Sequence, residues 1–232
     1  GTRKTGFGVF SDHQMQLFTS SKAIFKQLIT DIDNATYTIY MEFYIIYPKG
    51  QVLEVLEALM NAAKRGVECH ILADSVGSLS FFNRQQHQAL DQAGVFVHQS
   101  LPVGLFKTLF KRSDLRNHRK MIVIDECIGY IGSFNLVDPN FFKQDKNVGQ
   151  WIDVIIRSTS SQPVSIATAM AKVVVTDIGA ESQDNLYELD KRVNSYTRKL
   201  YVMHPTINDL NSRVQVIGDG ISSATDVGQS PI

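Results

Sequence analysis

An excess of charge of either sign is the first thing this chain lacks. Its 23 Lys and Arg balance its 23 Asp and Glu, so the molecule as a whole draws neither nucleic acid nor anionic lipid. Any such attraction has to come from a local patch. Cysteine is scarce as well: Cys69 and Cys127 stand singly inside apolar runs, which argues against a disulfide framework or a metal site and fits buried thiols in a reducing compartment. No run approaches the roughly 18 apolar residues of a membrane span, and residues 1–15 hold no signal-peptide core, so the expectation is a soluble body. What the chain does have is 44% apolar content over 232 residues, enough to bury one large or two small cores.

The hydrophobic pattern alternates between periods of two and 3.6. "QMQLF" reads as a short strand and "SKAIFKQLITDIDNA" as an amphipathic helix with Ile24, Leu28 and Ile32 on one stripe. "TYTIYMEFYII" follows as a long strand closed by the Pro48-Lys49-Gly50 turn, and "VLEVLEALMNAAKR" as a helix capped at Gly66. Strand "VECHILAD", helix "NRQQHQALDQA" with its cap at Gly94, and strand "VFVHQS" repeat the cycle. Further on, "CIGYIGSFN" and "WIDVIIR" read as strands and "PVSIATAMAKVVVTDI" as a helix with Pro163 near its first turn. Such alternation predicts an α/β fold with helices on both faces of a sheet and ligands beyond the strand ends. The loop "ADSVGSLSFF" lies at one strand end, where Asp74, Ser75, Gly77 and Ser78 suit either a site lining or a plain hydrogen-bonded turn. The breaker-rich end of the chain carries "RVQVIGDG", a faint echo of the opening "HQMQLFTSS".

The chemistry concentrates in "NHRKMIVIDECIGYIGSFN", residues 117–135. His118, Lys120 and Asp125 form His-x-Lys-x4-Asp around the apolar run Met121 to Ile124. Side chains on a strand alternate faces, so His118 and Lys120 emerge together. An imidazole beside a fixed ammonium suits a phosphoryl centre: lysine neutralises a nonbridging oxygen while histidine attacks phosphorus or moves a proton. The spacing alone is weak, arising by chance in roughly one chain in fifty of this length at average residue usage. A second strand ending in Gly132-Ser133-Phe134-Asn135 strengthens it, because Ser133 and Asn135 would alternate onto one face as phosphate donors, and a short turn through Glu126 would pair the two strands as a hairpin. Asp125 also fits a purely local turn-forming role, Asp153 a simple strand carboxylate, and Glu42 a polar strand face. His13, His70, His87, His98 and His204 show no convergent partners.

"HRKMIVID" followed by "GSFN" resembles the HKD signature of the phospholipase D superfamily. The added stretches "EFYI", "AAKRGVECHILADSVGS", "DLRNHRKMIVID", "VDPNFFKQD" and "GQWIDV" make the chain similar to bacterial cardiolipin synthases over about residues 15 to 180. The resemblance implies a phospholipase D-like α-β-α sandwich with a mixed sheet, a covalent phosphohistidine and no metal. It assigns nucleophile or acid/base work to His118, the phosphate clamp to Lys120, further phosphate ligation to Ser133 and Asn135, an orienting or structural role to the motif Asp125, and the acid that holds the histidine ring to Asp153. A carboxylate on one ring nitrogen fixes the tautomer and stabilises the imidazolium.

Members of that family use two HKD motifs, and this sequence holds one. The expectation is therefore one catalytic half: an HKD domain over 1–180, a linker or helical extension over 181–212, and the start of a second repeat or a disordered tail over 213–232. A second motif would come from another half or from a symmetric pair of chains, and an isolated monomer would be inactive. The resemblance implies phosphatidyl transfer between two phosphatidylglycerols, with release of glycerol, at a bacterial cytoplasmic membrane. "LPVGLFKTLFKRSDLRNHRK" mixes Lys107, Lys111, Arg112, Arg116, Arg119 and Lys120 with Leu105, Phe106, Leu109 and Phe110, which suits an anionic headgroup layer or, equally, an amphipathic segment docked on its own core. Rival readings are a dimeric phosphodiesterase or nuclease of the same fold, disfavoured by the neutral net charge, and a noncatalytic module that binds lipid phosphate.

Overall fold

A computed structural model describes residues 13–82, 84–100, 118–142, 153–161 and 165–181. In chain order the elements are β1 (His13–Phe18), α1 (Ser21–Asp33), β2 (Thr38–Phe43), α2 (Gln51–Lys64), β3 (Glu68–Asp74), α3 (Arg84–Gln92), β4 (Val95–Ser100), β5 (Met121–Ile124), β6 (Ile128–Gly132), β7 (Ile155–Ser160) and α4 (Ile166–Glu181). The strands form one seven-stranded sheet in the order β1-β7-β6-β5-β2-β3-β4. β2, β3 and β4 run parallel, because α2 and α3 carry the chain back between them, while β5, β6, β7 and β1 pair antiparallel. The predicted mixed α/β sandwich is the fold observed.

Alternation along the central strands feeds two cores. Ile39, Met41 and Phe43 of β2 point to one face with Ile122 and Ile124 of β5, where Ile24, Phe25, Leu28 and Ile32 of α1 and Val52, Val55, Leu56 and Leu59 of α2 cover them. Tyr40, Leu72, Met121 and Val123 point to the other face and pack against Ala167, Met170, Ala171, Val174 and Ile178 of α4. Every residue of β2 is buried, as a strand with helices on both faces requires. No helix among the described residues is long and apolar enough to cross a membrane.

A polar knot that the pattern of apolar residues did not reveal ties α1 to the antiparallel side of the sheet. Arg157 of β7 donates two hydrogen bonds to buried Asp31 of α1, at 2.7 and 2.9 Å. Tyr130 of β6 also donates to the Asp31 carboxylate, and Gln27 donates at 3.0 Å. Burial and the Asp31 contact drive the Tyr130 hydroxyl far above its usual range, so it remains a donor throughout ordinary pH.

Several boundaries differ from the sequence reading. β2 ends at Phe43, and the chain beyond it bends away to make only an isolated bridge between Ile46 and Leu136. β7 starts at Ile155 and runs later than "WIDVIIR", of which Trp151 and Ile152 lie outside the described residues. Pro163, the segment 101–117, His204, "RVQVIGDG" and the expected divisions after residue 181 lie outside them as well. The cysteines are both free thiols. Cys69 is fully buried, with its thiol pushed up to about 12 by burial, and Cys127 is partly buried.

Candidate active site

The register fixes where the signature residues meet. Met121 at the start of β5 pairs with Glu42 near the end of β2 and with Ile131 near the end of β6, while Gly132 pairs with Ile155 at the start of β7. His118 and Lys120, which immediately precede β5, therefore lie at the same sheet edge as Tyr44, Ser133 and Asp153. That edge is the C-terminal end of the parallel strands, the side on which α/β sheets present ligand sites.

Arg119 lies between His118 and Lys120 and has partners of its own. Its guanidinium donates to Glu42 Oε1 at 3.3 Å on β2 and to Asp177 on α4, so it is committed to the α4 side of the sheet. Arg119, one of the cations expected at a headgroup layer, is paired here with Glu42 and Asp177, and it gives Glu42 a partner that its strand position alone did not suggest.

Lys120 Nζ donates to the His118 carbonyl oxygen at 2.6 Å and lies 5.9 Å from the centre of the Tyr44 ring. The His118 imidazole stacks on that same ring, with centroids 4.3 Å apart and planes 16° from parallel. Across the edge, Ser133 Oγ donates to Asp153 Oδ1 at 3.0 Å and accepts the Val154 amide at 3.0 Å. Gly132 lets these strands approach, because a Cβ there would lie 2.0 Å from the Val154 carbonyl oxygen. Burial lowers the Lys120 ammonium below its ordinary value, partly offset by the charge of Asp153. Burial likewise raises Asp153 above the usual carboxylate range, opposed by the Ser133 hydrogen bond and the charge of Lys120. Both groups are thus under-solvated, so an anion arriving at Lys120 gains a poorly hydrated cation and is opposed by Asp153 in proportion to its ionisation.

Two of the expected positions differ in detail. Asp153 is bonded to Ser133, and among the described residues no hydrogen bond joins it to the His118 ring. The chain leaves β6 at Gly132, so Ser133 and Asn135 do not alternate as strand residues. Ser133 is exposed, whereas Asn135 is buried with its Oδ1 accepting the Ile45 amide at 3.1 Å, which leaves only Nδ2 for a phosphate oxygen.

Asp125 is not brought to this edge. It lies at the far end of β5, roughly 13 Å away at about 3.3 Å per strand residue. There it occupies a two-residue turn with Glu126, both with positive φ, 49° and 59°, closed by Cys127 N donating to Ile124 O at 3.2 Å. Its carboxylate accepts three backbone donors from the α1–β2 connection: Thr36 at 2.8, Tyr37 at 2.7 and Thr38 at 2.9 Å. Of the two roles open to the motif aspartate, this placement carries the structural one.

The "ADSVGSLSFF" loop takes the turn reading. Asp74 Oδ1 accepts the Val76 and Gly77 amides at 3.0 and 2.7 Å, and Ser78 is wholly buried. His70 and His98, expected to be without partners, are joined by a 3.0 Å nitrogen–nitrogen hydrogen bond, with Glu68 3.2 Å from the other His70 nitrogen. Cross-strand pairing of β3 with β4 creates this chain, and linear spacing could not reveal it. His13 accepts the Ile166 amide at 3.2 Å. Tyr44 is the site residue that the sequence reading missed. Its signals were an aromatic late in the stretch read as the strand "TYTIYMEFYII" and its place within "EFYI".

Comparison with known proteins places this geometry in context. The family model described as "Cardiolipin synthase, PLD-like domain" matches residues 28–164. Cardiolipin synthase A of Serratia proteamaculans is 39% identical over 218 residues, covering 94% of this chain and 42% of that protein. Cardiolipin synthase A of Escherichia fergusonii is 44% identical over 175 residues, 75% of this chain and 35% of that protein. The chain thus spans about two fifths or less of the curated relatives it matches. Among solved structures, a phospholipase D family member, Nuc from Salmonella typhimurium, superposes with a TM-score of 0.50 at 19% identity, over 73% of this chain and 96% of that one. That likeness supports the fold.

Proposed function

Because the chain belongs to the phospholipase D-like family of cardiolipin synthase type, we propose that it is one catalytic half of a phosphatidyltransferase working through a phosphohistidine at His118. The observation that carries the proposal is the convergence of His118, Lys120 and the Ser133–Asp153 pair at one sheet edge, with His118 exposed and the lysine held beside it.

In this reading an imidazole nitrogen of His118 attacks the phosphorus of phosphatidylglycerol. A P–N bond forms, the P–O bond to glycerol breaks, and the departing glycerol oxygen takes a proton from an imidazole of a second HKD motif. The hydroxyl of a second phosphatidylglycerol then attacks phosphorus, returns its proton to that second imidazole and displaces His118, giving cardiolipin. Lys120 carries the charge on the nonbridging oxygens, and Ser133 offers a hydroxyl to the same group. Burial raises the Asp153 carboxyl, which favours its uncharged form and so lessens repulsion of the phosphate. The second motif comes from another half of the enzyme or from a second copy of this chain, and the work is done at the bacterial cytoplasmic membrane, where the substrate resides.

The deciding experiment supplies the second motif in the full parent protein and follows conversion of phosphatidylglycerol vesicles to cardiolipin and glycerol. His118→Asn and Lys120→Met should each lower the rate at least about 100-fold, the scale of losing one acid–base or charge-stabilising group. Undiminished transfer by His118→Asn would refute the assignment.

A further inference from the structure

The His118 imidazole makes no hydrogen bond within the described residues, yet a nucleophile must hold one nitrogen toward phosphorus to within a narrow angle. The contact that fixes its plane is the stack on Tyr44, 4.3 Å between centroids and 16° from parallel. A stacked partner occupies the π face and leaves both in-plane nitrogen positions open, one for phosphorus and one for a proton. The negative face of the phenol also favours positive charge on the imidazole, as the attack on phosphorus creates.

Tyr44 is itself held from two sides. Its carbonyl oxygen accepts Ser78 Oγ at 3.0 Å, and the same Oγ accepts the Ile46 amide at 3.0 Å. The intervening Ile45 amide donates to Asn135 Oδ1 at 3.1 Å. Gly77 completes the fit, because a Cβ there would lie 2.3 Å from the Tyr44 carbonyl oxygen. The loop "ADSVGSLSFF", read from the sequence as a site lining or a hydrogen-bonded turn, and the Asn of "GSFN", read as a phosphate ligand, therefore converge on the backbone of Tyr44 and the two residues after it.

We infer that Tyr44 is a positioning residue for His118, a stacking platform that sets the plane of the imidazole, and that Gly77, Ser78 and Asn135 hold the platform in place. The kinetic consequence rests on the phosphatidyl-transfer reading, whereas the stack does not.

The test uses Tyr44→Phe and Tyr44→Leu in the full parent protein. Transfer is measured against phosphatidylglycerol vesicles, and the carbon-bound proton resonances of the His118 ring are followed by NMR. Tyr44→Leu should lose at least about 10-fold in kcat with KM within about twofold, the pattern of an interaction made in the transition state. Tyr44→Phe should stay within about threefold of wild type, because the ring and not the hydroxyl carries the role. The His118 resonances should be displaced upfield by the Tyr44 ring current in wild type and in Tyr44→Phe, and return in Tyr44→Leu. Equal losses in both variants would assign the role to the hydroxyl and overturn the inference, as would an unchanged kcat in a folded Tyr44→Leu. If wild type transfers nothing, the functional reading fails on its own, and the ring-current displacement alone decides the stack. An undisplaced His118 signal in wild type sinks it.

Discussion

Replacing Asp125 separates a catalytic motif aspartate from a structural one. In Asp125→Ala the three backbone donors of Thr36, Tyr37 and Thr38 lose a charged acceptor. The Thr36 and Tyr37 bonds are exposed, so water recovers much of their value, while the Thr38 bond is partly buried. At about 1.5–3 kcal/mol per bond to a charged group, with the two exposed bonds heavily discounted, the loss is about 3 kcal/mol. Alanine at φ 49° adds about 1 kcal/mol, since aspartate tolerates the left-handed region better. The sum, about 4 kcal/mol, corresponds to a fall in Tm of roughly 8–16 °C for a chain of this size. Asp125→Asn keeps the Oδ1 acceptor used by Tyr37 and Thr38 and loses the Thr36 bond, so it should cost only about 1–2 kcal/mol. Urea unfolding measures both, and the transfer rate per folded molecule should stay within about twofold of wild type in Asp125→Asn, as expected for a group outside the reacting centre. The structural assignment would fall if Asp125→Asn kept full stability and lost about 100-fold in kcat, the loss expected of a catalytic acid or base.

Other perturbations probe the remaining polar contacts. Asp31→Ala takes the carboxylate from Arg157, which keeps an exposed bond to Gln16, and removes the acceptor of Tyr130 and Gln27, so unfolding in urea should show a loss of about 3–5 kcal/mol, with Asp31→Asn milder. Arg119→Ala takes from buried Glu42 its guanidinium partner and should destabilise by about 1–3 kcal/mol, and Glu42→Gln in the same protein should recover part of that. Sulfate, which does not titrate in the relevant range, reports on Asp153. Burial raises this carboxyl, so it is uncharged at the acid end and repels the anion increasingly as it ionises with rising pH, over a range displaced upward from that of an ordinary carboxylate. Calorimetric affinity for sulfate should therefore fall with rising pH there. Asp153→Asn should abolish that step, and a step that survives the substitution belongs to another group.

Much of the architecture was legible because each element carries its period. The 3.6-residue stripe of Ile24, Leu28 and Ile32 is the buried face of α1, and the alternation through Met121 to Ile124 divides β5 between two cores. The hairpin of β5 with β6, and hence the placing of Lys120 and Ser133 at one sheet edge, followed from the short turn through Glu126. The partners made by tertiary register stayed hidden. The pairing of Asp125 with residues 87 to 89 positions earlier, of Arg119 with Glu42 and Asp177, of His70 with His98, and the stack of Tyr44 on His118 join residues that no linear spacing relates. Side-chain chemistry marked the site, and backbone register decided which of the marked residues share it. Asn135 illustrates the division: its place after Gly132-Ser133 suggested a phosphate ligand, and the bend after β6 turned its oxygen to the Ile45 amide.

The most direct measurement is to quench turnover of phosphatidylglycerol by the protein, with its second motif supplied, using base, which preserves phosphohistidine, and to map the phosphorylated residue by mass spectrometry. The expected result is a phosphatidyl or phosphoryl adduct on His118 that disappears in His118→Asn. Rapid turnover with an adduct that survives in His118→Asn, at the second motif or elsewhere, would contradict the assignment of His118 as the nucleophile.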